Sequence, residues 1–354
     1  MKIEYLRKKI DKIDDRIIDL LNDRFKVCDE IKKCKINNKL EVLNLKRENE
    51  ILDKLSQKIE KPLEYDYFCN IYREILSGSR HLQSKIKVAF FGSKYSYTYI
   101  AGEKFFGKSC EYIPKQTINE VFDEVEKKNV KFGVVPVENS TEGIVNNTID
   151  IMIDKDVNIY AELFLDIHHN LLSKETDLKN IEKIYSHAQA IAQTRNWCSK
   201  NLPNIQIFEA ISTTEAVEIA NKNNKVAAIA SIEAGEKFRL NILAKNIEDK
   251  SNNKTRFFII SLDNSEKTKL TKTSIMFAIK DKIGALYDML LPFKEQDINL
   301  TKIESRPNKK KAWEYVFFLD FIGYKDDKIV KIALKKLEKK CLFLKILGSY
   351  PTEL

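Results

Sequence analysis

The sequence predicts a multidomain protein in which an all-α part, an α/β part and an α+β part follow one another, and three observations lead to this reading. Apolar side chains recur at spacings of three and four through residues 1 to 84. Short apolar runs alternate with helical stretches from 86 to 262. A polar segment, 263 to 273, then reads as a linker before a third module, 274 to 354. With 354 residues and 43% hydrophobic content, each part can bury a core of its own.

Residues 3 to 38 place Leu6, Ile10, Ile13, Ile17, Leu20, Val27 and Ile31 on one stripe, the pattern of a single long helix. A second helix is expected from 44 to 59, ending before Pro62, and a third from 63 to 83 through Phe68, Ile71 and Ile75. A first helix more than about 50 Å long, at 1.5 Å per residue, has too little partner surface within one copy, so a homodimer is expected. In the second part, strands at 86–91, 131–137, 157–167, 205–208, 225–230 and 255–262 alternate with helices at 98–106, 117–129, 143–153, 188–201 and 213–222. From Ser274 the order is strand (SIMFAIK), helix (284–295), strands (INLTKIES and WEYVFFLDFI), helix (328–339) and strand (LFLKILG), which is ferredoxin-like.

Composition narrows the function. The net charge of +9, from 61 basic and 52 acidic residues, is dispersed among acidic neighbours, which suits a small anionic substrate better than nucleic acid. No run approaches the roughly 18 apolar residues of a membrane span, and the charged start lacks a signal-peptide core, so no membrane association and a cytoplasmic location are expected. The six cysteines form no CxxC and the four histidines no HxxxH or HExxH, predicting free thiols and no metal. The ten glycines never form GxGxxG, so no nicotinamide cofactor is expected.

Four residues beyond Leu20 the stripe reaches Arg24, and three further on Val27, so a guanidinium occupies a core position. An arginine there either snorkels to solvent or is paired internally, or it lines an anion pocket. Lys35 lies 11 residues on, about 20° away around the helix. On the second helix Asn44, Arg47 and Glu48 share a face, and on the third Ser79 and Gln83 do, although such pairs alone usually mark a solvated face. Taken together, Leu6-Arg7, Ile10, Ile13-Asp14, Arg24, Lys35, Arg47-Glu48 and Ser79-x-x-x-Gln83 resemble the all-helical chorismate mutases across all 84 residues. The resemblance implies a Claisen rearrangement of chorismate to prephenate, with no cofactor and no covalent intermediate. It implies Arg24 and Arg7 on substrate carboxylates, Lys35 and Gln83 donating to the ether oxygen, and Glu48 and the Asn44 region holding the ring hydroxyl. Ser79 would orient a carboxylate and Arg47 would order the site. Arg7 stands 17 residues before Arg24, about 25 Å along the helix, so it must come from a second subunit. Asn44 departs from the family's usual aspartate.

Four stretches of the second part sit at predicted strand edges, where open α/β sheets place ligands: 92–98 (GSKYSYT), 135–140 (VPVENS), 186–193 (SHAQAIAQ) and Thr255-Arg256-Phe257. Each alone has an ordinary explanation, such as Ser-His acting as a helix cap. Their order and spacing are similar to the Glu-Asn-Ser, Ser-His-Pro-Gln and Thr-Arg-Phe motifs of prephenate dehydratases, over about 86 to 262. The resemblance implies two lobes like those of periplasmic binding proteins, with prephenate in the cleft losing water and carbon dioxide to give phenylpyruvate. Thr255 would be the donor to the leaving hydroxyl. Ser96, Glu138, Asn139, Ser140, Ser186, Gln189, Gln193, Arg256 and Phe257 would form or support the substrate cradle. Ser93, Tyr95, Ala188 and Thr194 stand where the family has Pro, Gly, Pro and Cys; if that glycine needs φ > 0, Tyr95 is strained.

In the third part, Gly284-Ala285-Leu286 opens a helix and Glu304-Ser305-Arg306-Pro307 ends a strand. Both resemble the phenylalanine-binding motifs of ACT domains, with Tyr287 where valine is usual. Feedback inhibition by L-phenylalanine as allosteric effector, at a dimer interface, is implied.

Overall fold

A computed structural model describes residues 2–38, 42–280, 282–307 and 315–352. The chain divides into two compact units: Met1–Ile86 with Phe106–Glu111, and Lys87–Phe105 with Tyr112–Leu354.

The first unit is built on α1 (Lys2–Asn38), α2 (Leu45–Ser56) and α3 (Tyr65–Gln83). The face of α1 that is covered runs through Leu21, Arg24, Phe25, Cys28, Lys32 and Lys35. The stripe read as buried is instead 41–67% exposed in a single chain at Leu6, Ile10, Ile13, Ile17, Leu20, Val27 and Ile31. Two shorter helices cannot cover both sides of a 37-residue one. Arg24 thus lies on the covered face, to one side of the apolar stripe. Gly78 lets α3 come close to α1: a Cβ there would stand 3.1 Å from Phe25 Cζ.

The second unit opens with β1 (Lys87–Phe91), α4 (Tyr97–Phe106), β2 (Glu111–Lys115), α5 (Ile118–Glu126), β3 (Phe132–Asn139), β4 (Gly143–Ile144), α6 (Asn146–Asp154) and β5 (Asn158–Asp166). A second lobe follows: β6 (Asn170–Ser173), β7 (Lys183–Ser186), α7 (Ala188–Gln193), α8 (Arg195–Asn201), β8 (Gln206–Glu209), α9 (Thr213–Lys222), β9 (Val226–Ala230), α10 (Ile232–Phe238) and β10 (Asn241–Ala244). The chain then returns to the first lobe with β11 (Lys254–Ser261). The first sheet has the order β2-β1-β3-β11-β5 with β4 beside β3, and the second β10-β6-β9-β7-β8. Strand β11 is antiparallel to both neighbours and completes the first sheet after the excursion through the second lobe. Its near-continuous apolar run, Phe257 to Ile260, reflects cover on both faces. Strands β2, β6, β7 and β10 fall outside the predicted strand runs, and β2 contains Pro114.

The C-terminal part comprises β12 (Thr271–Ile279), α11 (Ala285–Lys294), β13 (Leu300–Pro307), β14 (Tyr315–Ile322), α12 (Lys328–Glu338) and β15 (Phe343–Pro351). Its antiparallel sheet has the order β13-β14-β12-β15, as the βαββαβ sequence requires. Both faces of this sheet are apolar. One packs Ile275, Phe277, Leu319 and Phe321 against Met289, Phe293, Val330 and Leu337 of its helices. The other sends Met276, Ala278, Val316, Phe318, Leu347 and Tyr350 into a core shared with Val135, Val137, Phe258 and Ile260 of the first lobe. At the seam, a Cβ on Gly348 would lie 2.3 Å from the Ile159 carbonyl oxygen, so only glycine lets β15 lie against β5. The strand β12 begins at Thr271, inside the segment read as linker, and joins this shared layer.

Candidate active sites

In the helical unit, Arg24 Nη1 donates to Ser79 Oγ and lies 3.9 Å from Cys28 Sγ. Ser79 Oγ donates in turn to the Ile75 carbonyl (2.6 Å), and the Gln83 amide nitrogen donates to the Ser79 carbonyl (3.3 Å). Gln83 Oε1 is buried with no hydrogen-bond partner among the described residues. Lys35 Nζ donates to the Val42 carbonyl (2.9 Å). Arg24, Ser79 and Gln83 thus come together across α1 and α3. Arg7 lies exposed near the start of α1.

The second helix departs from expectation in detail. Asn44 is its N-cap, with Oδ1 accepting from the Arg47 backbone N–H at 2.8 Å. Asparagine and aspartate cap equally well, so a replacement of one by the other is tolerated here. The Arg47 side chain turns outward to Glu50 (3.3 Å) and does not reach Glu48. Glu48 is held instead by Arg80, whose Nη1 lies 2.5 Å from both carboxylate oxygens. Arg80 is 4% exposed and also donates to the Phe106 carbonyl. Sequence reasoning passed over Arg80 because it belongs to no motif; its only signal was a charge beside Ser79 on an interior-facing turn. Close by, burial pushes the Cys110 thiol up to about 11.

In the α/β part, register places Thr255 of β11 opposite Asn139 of β3. The Asn139 amide donates to Thr255 Oγ1 (2.9 Å) and to Asn253 Oδ1 (2.7 Å), while its carbonyl accepts from the backbone N–H groups of Thr141 and Glu142 (2.9 and 3.2 Å). Asn253 donates to Gln193 Oε1 (3.0 Å), and Gln193 Nε2 to Glu142 Oε1 (2.7 Å). Gln189 donates to the other Glu142 oxygen. His169 Nε2 lies 2.8 Å from Gln193 Oε1, which as an acceptor fixes the proton on Nε2, and His169 Nδ1 is buried without a partner among the described residues. Burial lowers the His169 pKa from the ordinary histidine value. One network therefore connects Thr255, Asn139, Gln193 and Gln189, with Glu142, Asn253 and His169 as members the motifs did not name. Glu142 and Asn253 were reachable from sequence only by closeness to Asn139 and Thr255.

The remaining motif residues separate from this network. Ser186 is fully buried and donates to the Ile229 carbonyl (2.6 Å), and Ser140 donates to the Asn252 carbonyl (2.9 Å), so both hold strands together. Ser96 Oγ accepts from the Tyr99 N–H (3.4 Å) at the start of α4. His187 caps α7 through the Gln189 N–H (3.3 Å). Phe257 is a core residue. Successive strand residues point to opposite sides, so Glu138 and Arg256, neighbours across the ladder, face away from Asn139 and Thr255. Glu138 pairs with Lys302 of β13 at 2.6 Å. Arg256 is buried among Glu162 (2.6 Å), Asp320 (2.7 Å) and the Tyr350 hydroxyl (3.1 Å), with Lys272 also 2.6 Å from Glu162. Tyr95 does adopt φ +69, with its ring edge-on to Tyr99 and Phe238 at 5.4 and 6.3 Å.

In the C-terminal part, Gly284, Ala285 and Leu286 line a cavity of about 250 Å³ with Tyr287, Tyr315 and Phe317. Ser305 pairs with Phe317 and Pro307 with Tyr315, so they share the sheet face of the cavity. Glu304 and Arg306 alternate to the opposite face, where Arg306 reaches Asn146 and Asp150 (3.3 Å) of α6. Among the described residues no group of three His, Cys, Asp or Glu side chains could hold a metal ion, and no helix is long and apolar enough to cross a membrane.

Comparison with known proteins assigns both parts. The family Chorismate mutase type II matches residues 6–84 and the family Prephenate dehydratase residues 88–265. The bifunctional chorismate mutase/prephenate dehydratase of Aquifex aeolicus is 46% identical, covering 100% of this chain and 99% of its own. Among solved structures, the prephenate dehydratase of Arthrobacter aurescens in complex with L-Phe has a TM-score of 0.69 at 29% identity, over 75% of this chain and 90% of that one. The prephenate dehydratase of Staphylococcus aureus gives 0.67 at 30% identity, over 75% and 100%.

Proposed function

The chain belongs to the bifunctional chorismate mutase/prephenate dehydratases, and from that premise we propose how its residues divide the work. It converts chorismate to prephenate and prephenate to phenylpyruvate, two steps of phenylalanine biosynthesis. The first belongs to the helical unit. There Arg24, steadied by Ser79, takes a substrate carboxylate, and Lys35 with the Gln83 amide donates to the ether oxygen as charge builds on it. Glu48, fixed by Arg80, accepts from the ring hydroxyl. Arg7 completes the site from a second copy of the chain, whose helices would also cover the exposed stripe of α1.

The second step belongs to the cleft residues on β3 and β11. The observation that carries this reading is the Asn139 amide donating to Thr255 Oγ1. With a lone pair so occupied, the Thr255 proton is aimed outward at the leaving hydroxyl. As the ring carboxylate departs as carbon dioxide, its bonding electrons enter the ring and expel that hydroxyl, which leaves as water with a proton from Thr255, replaced from solvent. Gln189 and Gln193, each with a second amide N–H beyond the one given to Glu142, then cradle the remaining carboxylate. The cavity beside Gly284 takes L-phenylalanine, the ligand named for the Arthrobacter aurescens structure, as feedback effector of the ACT-like domain.

Purified protein given chorismate without a nicotinamide cofactor should yield phenylpyruvate. Prephenate accumulating unchanged would overturn the dehydratase assignment, and unconsumed chorismate the mutase one. L-phenylalanine should slow the second step more than the first.

A further inference from the structure

The hairpin that carries the dehydratase network is gripped from behind by a strand of the regulatory domain. Strand β4 pairs with the end of β3, with Glu138 opposite Ile144 and Asn139 opposite Gly143, so residues 140–142 form the turn. Asn139 holds Thr255 from one end of that turn, and Glu142 holds Gln189 and Gln193 from the other. On the outer face, Lys302 Nζ lies 2.6 Å from Glu138 Oε1, with 15% of the lysine and 35% of the glutamate side chain exposed. Four residues along the same face of β13, Arg306 reaches Asn146 and Asp150, just beyond β4. The strand β13 therefore holds the β3 arm of the hairpin through Glu138 and, about 13 Å further along itself, the start of α6 just after the β4 arm.

We propose that Lys302 is a positioning residue for the dehydratase step: by holding Glu138 it sets the β3–β4 turn, and through it the Asn139–Thr255 contact. The inference rests on the dehydratase reading above. Nothing in the fold demands this pair, because a partly exposed ion pair contributes little stability, and the shared apolar core already joins the two sheets. Its placement is informative for another reason. The opposite face of β13 carries Ser305, which shares the sheet face of the Gly284 cavity, so a ligand there and the hairpin turn meet on two sides of one strand.

The test uses the full-length protein with Lys302→Met, Lys302→Arg, and the charge exchange Glu138→Lys with Lys302→Glu, beside each single variant. Dehydration of added prephenate is followed together with mutase rate and thermal midpoint. Lys302→Met should lower dehydratase kcat about 10-fold with KM and mutase rate nearly unchanged, Lys302→Arg should retain activity, and the exchange should recover most of what its single changes lose. Wild-type kcat in Lys302→Met would overturn the proposal, as would an exchanged pair no better than the singles. A loss in Lys302→Met that only tracks a lowered thermal midpoint would overturn it too. If the wild-type protein makes no phenylpyruvate from prephenate, the dehydratase reading itself has failed.

Discussion

Thr255 has one hydroxyl proton, and Asn139 donates to its oxygen; on the proposed reading that leaves the proton for the leaving hydroxyl. Thr255→Ala should therefore lower dehydratase kcat by about 100-fold or more, the cost of losing one aimed donor, with Thr255→Ser close to wild type and mutase turnover intact. Measuring phenylpyruvate formed from prephenate decides it. Tyr95 was legible as a departure from a glycine, yet its cost was not, because the compensating rings of Tyr99 and Phe238 are distant in sequence. A β-branched side chain tolerates φ > 0 worst, so Tyr95→Val should lose at least about 1 kcal/mol more than Tyr95→Gly in thermal unfolding. His169 gives the pH dependence. Its neutral form is favoured in the fold, since burial lowers its pKa below the unfolded value. Below about pH 6.5 the unfolded chain binds a proton the folded one resists. The stability His169 contributes is full above that value and is lost as pH falls toward its folded pKa. Melting temperature against pH should show this loss, and His169→Asn should flatten it.

At the scale of elements, Arg256 and Gly348 fix how the sheets meet. Arg256 and Lys272 balance Glu162 and Asp320 in one buried cluster, so burial, which alone would lower the Arg256 pKa, is outweighed by the facing acids and it stays charged. Arg256→Met would leave two carboxylates facing one ammonium and should cost about 3 kcal/mol or more of stability, seen as earlier unfolding with little change in KM for prephenate. Gly348→Ala must displace either β15 or the Ile159 backbone and should likewise lower the melting point of the dehydratase unit. The sequence had joined Arg256 to Thr255 and Glu138 to Asn139 as motif neighbours. Strand alternation, with a register shift just after Arg256, sends each pair to opposite faces, and only knowledge of the pairing partner reveals which face is the cleft.

For the whole molecule, the exposed stripe of α1 and the remote Arg7 make one claim that can be tested by mixing. Arg7→Ala and Arg24→Ala proteins, each inactive as mutase, should regain about a quarter of wild-type activity after subunit exchange, because half the dimers become hybrids with one intact site. No recovery would show that each site is complete within one chain. Neither change should alter turnover of prephenate.

What the sequence determined by itself was local. The three helices, the βαββαβ order and the longer buried strands follow from apolar periodicity, and the two chemistries from motifs that keep their spacing. What only tertiary structure decided was which residues meet. Arg80 fixes Glu48, Glu142 gathers the two glutamines, and the C-terminal sheet shares a core with the dehydratase lobe despite the polar segment between them. Periodicity reports that a face is buried, whereas the identity of the covering surface depends on chain segments far away in sequence, and that is set only when the elements pack.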